Sequence, residues 1–408
     1  MVEMGLPTRL IICVDGTWCT PDGSYGNPHK NISNIYRVCA SIRAGECVDS
    51  DGRRFKQEKE YYAGIGSKDD IAWLDRIQTG AFGNECLTEI RKVYERCCKL
   101  PGHPEDEVWF YGFSRGAYIV RAVAGLLHYL RALTSAGTPA FESDYKQTLK
   151  VYESMQKSSK LGPGQIHSYF AASTRPAPKI QFVGAFDTVK AVNDRSLYNI
   201  DFNDSIQHLR HALALNEDRK AFAPEVLSPE FHSNQLRNRS FVQAWFLGGH
   251  IDMGGSAPKD GLALYPLQWM LLESQSLGLI LEFDGSFDNR AVIDDPLSIV
   301  FPRDQQNCKV KDIWSCKVSN GLSVHMQDLR QVHDSSEHHG RYGIHLNKHN
   351  AIYWAKLPRE PFNSMGEVVG FCPYGTRSLA NGKSVRYNAN YSCSTARNYI
   401  APLSLFNI

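Results

Sequence analysis

The sequence lacks a long hydrophobic run and an excess of either charge. Its 45 lysines and arginines nearly balance 43 aspartates and glutamates, leaving a net charge of +2, so neither nucleic acid nor an anionic membrane is predicted as a partner. No stretch of 18 apolar residues occurs, which argues against a membrane-spanning helix. The first apolar run, residues 10–14, is followed at once by Asp15 and is too short for a signal peptide. We therefore expect a soluble, cytoplasmic protein.

Cysteine pairs with the spacing of a zinc site are also missing. The 11 cysteines are scattered without a C-x-x-C unit, so free thiols are expected and a zinc site is not. There is no H-E-x-x-H pair, and the stretch GIGSKDD lacks the three-glycine spacing of a dinucleotide-binding turn. The sequence therefore predicts neither a metal nor a cofactor.

What the chain has in abundance is short apolar runs that end in glycine-rich or acidic turns. Runs of this length are typical of buried strands in a parallel sheet, and helical patterns lie between some of them. The sequence thus predicts an α/β fold of the α/β-hydrolase kind, a mostly parallel sheet with helices on both faces. The strand runs cover residues 10–14, 61–63, 108–111, 180–186 and 241–247, and the helical patterns cover 86–98 and 117–130.

Two regions interrupt this alternation. Residues 135–178 combine a helical piece with glycine- and serine-rich flanks and are predicted to form a cap insertion. From about residue 285 onward the pattern is irregular and rich in polar residues. We expect a catalytic domain over residues 8–290 and a C-terminal extension over 291–408 that packs on the core.

The strongest functional signal is the stretch GFSRG, which places Ser114 between an aromatic-rich strand and a clean helical pattern. Small residues two positions before and after a serine permit the sharp turn that lifts its hydroxyl above the sheet. This predicts a nucleophile elbow. The alternative is an ordinary strand–helix turn in which Ser114 caps the helix.

A nucleophilic serine needs a base and an acid, which follow it in the order acid then base in α/β-hydrolases. Asp187 and His250 each come after a predicted strand, so both should lie at the same sheet edge as Ser114. His250 would take the Ser114 proton and Asp187 would orient the imidazole. Asp187 could instead cap a following helix, and Asp252 is a rival acid or a supporting group.

Other histidines compete with His250, which could itself be a plain loop residue. His345 and His349, in a polar C-terminal stretch, are the main rival bases, and His345 is also a candidate for substrate binding. His211 is predicted to lie on an amphipathic helix with a structural role. None of these alternatives can be dismissed from the residue pattern alone.

An oxyanion hole should combine two backbone amides. The Arg115 N–H follows the nucleophile, and Gly16 or Thr17 in the turn VDGTW could supply the second donor. Asp15 in this turn is expected to anchor its own loop; binding a cation or orienting substrate is the alternative. Trp18 is a further candidate for substrate contact or support of the site.

Six stretches together resemble a known family. They are, in order, VDGTW, YYAGIGS, GFSRGAY, GAFDTVKAV, HALALNEDRKAFAPEVL and QAWFLGGHIDMGGS. They resemble the catalytic domain of the family-1 type VI secretion lipase effectors, which has many uncharacterised relatives in bacteria and fungi. The resemblance, over about residues 8–290, implies an α/β-hydrolase core and a triad of Ser114, Asp187 and His250. The characterised effectors hydrolyse phospholipid esters.

The chain departs from that family in ways that bear on the substrate. It shows no amphipathic stretch comparable to an interfacial membrane anchor. Ile251 and Met253 make the GGHIDMGGS turn more apolar than usual, which would reshape the mouth of a pocket.

The hypothesis is a serine hydrolase that cleaves a carboxylic ester through an acyl-enzyme. The partner would be a lipid ester, phospholipid-like, or a small metabolite ester, without nucleic acid and without stable membrane insertion; the oligomeric state stays open. The alternatives are a non-catalytic binding protein on the same scaffold and a thioesterase, lactonase or cyclising enzyme.

Overall fold

The computed structural model describes the core of the chain. The residues described are 5–21, 32–66, 83–159, 161–191, 198–214, 239–246, 249–256 and 263–282, the single residues 217, 222, 224, 225 and 227, and five three-residue strands between 315 and 386. The predicted extension, residues 291–408, is described only in those five strands, so its packing on the core stays a prediction.

Fourteen strands occur in the described residues. In chain order they are β1 (Thr8–Val14), β2 (Gly45–Val48), β3 (Arg54–Tyr62), β4 (Glu107–Phe113), β5 (Ala132–Leu133), β6 (Thr174–Arg175), β7 (Lys179–Phe186), β8 (Ile206–Ala214), β9 (Ser240–Phe246), β10 (Ser315–Lys317), β11 (Ser323–His325), β12 (Val368–Gly370), β13 (Thr376–Ser378) and β14 (Ser384–Arg386). Eight of them form one sheet in the order β12-β9-β8-β7-β4-β1-β3-β2.

All pairs in this sheet are parallel except β2 with β3, which is antiparallel. The remaining strands form three small antiparallel pairs, β5 with β6, β10 with β11 and β13 with β14. Because the central strands run in one direction, β1, β4, β7, β8 and β9 all present their carboxyl ends at the same edge of the sheet.

Helices cover both faces of the sheet. The described helices are α1 (Asn34–Ala40), α2 (Gly83–Cys98), α3 (Arg115–Leu130), α4 (Phe141–Ser159), α5 (Pro163–Tyr169), α6 (His250–Gly254) and α7 (Leu264–Ser276). Strand β1 shows why: Leu10 and Ile12 join the core cluster under α2 and α3, while Ile11 and Cys13 join the cluster under α1 and α7. Since alternate side chains of a strand point to opposite faces, both faces must be covered. The predicted α/β fold is confirmed.

The prediction of a helix around His211 is wrong. Residues 211–214 form the end of β8, which lies between β7 and β9. All four residues are buried, because a central parallel strand is covered on both faces. Such a strand shows no alternation of polar and apolar residues, and so it mimics a helical pattern. The antiparallel edge strand β2 was not predicted.

The segment predicted as a cap packs beside the sheet's helices. Helix α4 contacts α2 and α3 through two pairs of tyrosine rings, Tyr94 with Tyr145 at 5.6 Å and Tyr129 with Tyr152 at 5.5 Å between centroids. These rings belong to the same core cluster as α3. A role of this segment in covering the site stays a prediction. None of the described helices is long and apolar enough to cross a bilayer.

Candidate active site

Ser114 lies at the turn between β4 and α3. Its backbone angles, φ 57° and ψ −121°, fall in a region that side chains with a Cβ rarely adopt. The backbone N–H of Ser114 donates to the Phe186 carbonyl of the neighbouring strand at 2.9 Å. The Ser114 side chain makes no cap hydrogen bond to the helix, so its hydroxyl is not used as a helix cap.

The two glycines of GFSRG make this turn possible. A Cβ on Gly116 would lie 2.2 Å from the Val14 carbonyl oxygen, and one on Gly112 would lie 2.5 Å from the Gly116 carbonyl oxygen. Both obstacles are backbone atoms, which cannot rotate away. The first turn of α3 therefore rests directly on the end of β1, and only glycine allows that approach.

We expect the substitution Gly116→Ala to lower the free energy of unfolding by at least about 2 kcal/mol, because α3 would have to move away from β1. Urea denaturation measures this change. The matched control is Gly164→Ala in α5, where a Cβ meets nothing within 4 Å and alanine favours the helix. Equal stability of the two variants would contradict the close approach at Gly116.

Ser114, His250 and Asp187 are joined by a chain of hydrogen bonds. The Ser114 Oγ lies 2.8 Å from Nε2 of His250, and Nδ1 of His250 lies 2.6 Å from Oδ2 of Asp187. All three residues are buried, Asp187 completely. They come from the ends of β4, β7 and β9, so the structure brings together the three residues that the sequence analysis singled out.

Asp187 is held in place by the next strand. Its Oδ1 accepts the Ala214 N–H at 3.0 Å, and its own N–H donates to the Ala212 carbonyl at 2.7 Å. Burial raises the pKa of Asp187, while the hydrogen bond from His250 opposes that rise. Asp187 does not cap a helix, since residues 188–191 are not helical and Val189 forms a bridge with Pro224.

His250 is the first residue of the short helix α6. Its imidazole ring packs between the rings of Phe113 and Phe222, with centroids 4.7 and 4.9 Å away. Asp252 accepts the Gly249 N–H at 2.8 Å through Oδ2. Asp252 therefore fastens the turn that carries His250, whereas the carboxylate on the imidazole is that of Asp187.

Asp15 anchors the turn after β1. Its Oδ1 accepts the Gly16 N–H at 2.7 Å, and its Oδ2 accepts the Tyr61 hydroxyl at 2.6 Å and the Ser33 hydroxyl. Burial raises the pKa of Asp15 to about 6, against the lowering effect of these donors. The Gly16 N–H, one of the two amides predicted for an oxyanion hole, is thus engaged by Asp15, and the Thr17 N–H stays a prediction.

The nucleophile turn and the Asp15 turn are linked by side chains. Nη1 of Arg115 donates to the Thr17 Oγ1 at 2.9 Å, and burial lowers the pKa of the arginine. Trp18 is half-buried, with φ 64°, and its N–H donates to the Ile65 carbonyl. A Cβ on Gly66 would lie 2.2 Å from the Trp18 indole nitrogen, so the indole packs on the GIGS turn.

Three other histidines were candidates for a role in the protein. His345 and His349 lie outside the described residues. His211 is fully buried, its Nε2 accepts the Thr188 N–H at 3.1 Å, and burial holds its pKa well below the usual range, which fits the structural role expected of it. Within the residues that the structure describes, no group of three histidine, cysteine, aspartate or glutamate side chains is arranged to hold a metal ion.

One residue of the site was missed from the sequence. The carboxylate of Glu217, three residues beyond β8, accepts the His250 N–H at 3.1 Å. Glu217 was missed because the residues around His211 were predicted to form a helix. A strand that ends at residue 214 would have placed Glu217 at the same sheet edge as Asp187.

Sequence comparisons relate this chain to known proteins. A family model described as T6SS, phospholipase effector Tle1-like, catalytic domain, matches residues 8–273. An uncharacterized protein of Saccharomyces cerevisiae is 26% identical over 242 residues, which are 54% of this chain and 33% of that protein. The chain thus spans about a third of that relative's length.

Two solved structures are similar at low identity. An uncharacterized protein from Pseudomonas aeruginosa has a TM-score of 0.40 and 17% identity, over 68% of this chain and 46% of that one. The Tle1 effector bound to the VgrG spike of the type 6 secretion system has a TM-score of 0.37 and 15% identity, over 62% of this chain and 52% of that one. On the family match over residues 8–273, the chain belongs to the T6SS phospholipase effector Tle1-like catalytic domain family.

Proposed function

We propose that the protein is a serine hydrolase that cleaves a carboxylic ester through an acyl-enzyme, with Ser114, His250 and Asp187 as its catalytic triad. The observation that carries the proposal is the continuous hydrogen-bonded chain from the Ser114 Oγ through the imidazole to the Asp187 carboxylate. The family match, to the catalytic domain of a phospholipase effector, supports the same class of reaction.

The geometry supports a division of roles. A carboxylate on Nδ1 fixes the tautomer in which Nδ1 carries the proton, which leaves the Nε2 lone pair facing the Ser114 hydroxyl. As Ser114 attacks the ester carbonyl, His250 takes its proton and then delivers that proton to the leaving alcohol. Water, deprotonated by the same imidazole, then attacks the acyl-enzyme and releases the acid.

The tetrahedral intermediate would be stabilised by backbone amides from two turns. The Arg115 N–H is the first amide of α3, where the helix dipole favours negative charge, and the Thr17 N–H belongs to the turn anchored by Asp15. The hydrogen bond between the Arg115 and Thr17 side chains ties the two turns together. Arg115 and Thr17 thus serve as oxyanion donors, and Asp15 is a positioning residue for this turn.

We propose lipid esters as the substrate class, on the strength of the family match. The test is a series of p-nitrophenyl esters from acetate to palmitate. Each buried methylene contributes about 0.8 kcal/mol, so kcat/KM should rise about fourfold per methylene until the pocket is filled. The Ser114→Ala variant gives the background rate. A rate that is highest for acetate would contradict a lipid substrate and favour a small ester. The cytoplasmic location stays a prediction.

A further inference from the structure

Glu217 is a second carboxylate that contacts His250 from beyond the end of a neighbouring strand. Strand β8, which leads to Glu217, separates β7 from β9 in the sheet. Asp187 follows β7 and His250 follows β9, so residues from beyond the ends of three successive strands meet at His250. Glu217 is only 6% exposed, although glutamate is rarely buried without a structural or chemical reason.

The contact between Glu217 and His250 is made through the backbone. The Glu217 Oε2 accepts the His250 N–H at 3.1 Å, at the first residue of α6. That N–H has no acceptor within the helix, because the first N–H groups of an α-helix have no preceding carbonyl to bind. The carboxylate therefore fixes the position of the residue from which the imidazole projects.

The apolar surroundings of His250 mean that a second negative charge would stabilise the protonated imidazole. When the imidazole takes the Ser114 proton it becomes a cation between the rings of Phe113 and Phe222, away from water. A buried cation is costly unless charges of opposite sign lie close to it. Asp187 supplies one such charge. The negative charge of Glu217 also reaches the Asp187 carboxylate, since it contributes to the raised pKa of Asp187.

We propose that Glu217 is a positioning residue for His250, which holds the start of α6 through the His250 N–H and places a second carboxylate in the charge environment of the imidazole. This inference rests on the proposed hydrolase function. Among the described residues, the carboxylates that contact His250 are Asp187 from the end of β7 and Glu217 from beyond β8, while Asp252 from α6 itself binds the Gly249 N–H through its Oδ2.

The test is the variant Glu217→Gln, which keeps an oxygen acceptor for the His250 N–H but removes the charge. The readout is the second-order rate at which a fluorophosphonate labels Ser114, measured from about pH 5 to about pH 9. Removing the charge weakens the stabilisation of the imidazolium that forms as His250 takes the Ser114 proton, so the plateau rate should fall about three- to tenfold.

Two further variants separate charge from position. Glu217→Ala also removes the acceptor, so its plateau rate should fall below that of Glu217→Gln. If Glu217→Ala fails to fold, the labelling rate of Glu217→Gln alone tests the inference. Glu46→Gln, on the exposed edge strand β2 where the side chain is 65% exposed, changes the net charge equally and should leave the profile unchanged.

The outcomes are distinct. A folded Glu217→Gln protein whose plateau rate equals that of the wild type overturns the inference alone. A wild-type protein whose Ser114 does not react with the fluorophosphonate overturns the proposed function, and the inference with it. A lowered plateau rate in Glu217→Gln, with an unchanged one in Glu46→Gln, supports both.

Discussion

The Ser114→Ala variant is expected to fold normally and to lose covalent labelling by a fluorophosphonate completely. Its esterase activity should fall by about 10⁶-fold, the loss seen when the nucleophile of a serine protease is removed. The reason is that the proposed acyl-enzyme forms on the Ser114 hydroxyl, which alanine lacks. Gel fluorescence of the labelled protein and steady-state rates of ester hydrolysis measure the two effects.

The control for this variant is Ser154→Ala, on the surface of α4, where the serine hydroxyl donates to the Lys150 carbonyl of its own helix. Labelling and activity should both survive there. If Ser114→Ala retained its label, the reactive serine would lie elsewhere and the proposed triad would be wrong. If the wild type took no label while folded, the scaffold would serve binding rather than hydrolysis.

The Asp187→Asn variant should lower kcat by about 10⁴-fold, with much smaller changes in KM. Asparagine can present an NH₂ group to Nδ1, which favours the imidazole tautomer whose Nε2 carries a proton. In that tautomer Nε2 cannot accept the proton of Ser114, whose Oγ lies 2.8 Å away. Steady-state kinetics on a short ester, with circular dichroism to verify folding, give the result.

Asp252→Asn is the matched comparison, because Asp252 is also buried and lies two residues from His250. An asparagine oxygen can still accept the Gly249 N–H, so we expect a loss of less than about tenfold in kcat, the scale of one lost charge interaction. A severe loss in Asp252→Asn together with a mild one in Asp187→Asn would assign the acid to Asp252 instead.

The sequence was most informative where chemistry and backbone geometry demand the same residues. Ser114 could be singled out because a strained turn requires glycine at 112 and 116, and each glycine faces backbone atoms in the structure. The strands β4, β7 and β9 could be predicted from their apolar runs. Because the carboxyl ends of these strands share an edge in a parallel sheet, the placement of Ser114, Asp187 and His250 at one edge followed from the fold class alone.

Other features depend on tertiary contacts that leave no local pattern. Asp187 and Asp252 both follow strands, and only the three-dimensional arrangement shows that the imidazole meets Asp187 while Asp252 binds Gly249. The sequence of strand β8 was predicted to be helical, because a strand that is covered on both faces lacks the alternation of polar and apolar residues. Glu217 was missed for that reason. The contact between the Gly16 N–H and Asp15, which distinguishes Gly16 from Thr17, also leaves no signal in the sequence.

The contact between the first turn of α3 and the end of β1 has an evolutionary consequence. Main-chain atoms, rather than interchangeable side chains, set the height of the Ser114 hydroxyl above the sheet. Substitutions in the residues that line a pocket can therefore accumulate without displacing the nucleophile. Under the proposed function, a lineage built on this scaffold can change its ester substrate while its reaction stays the same.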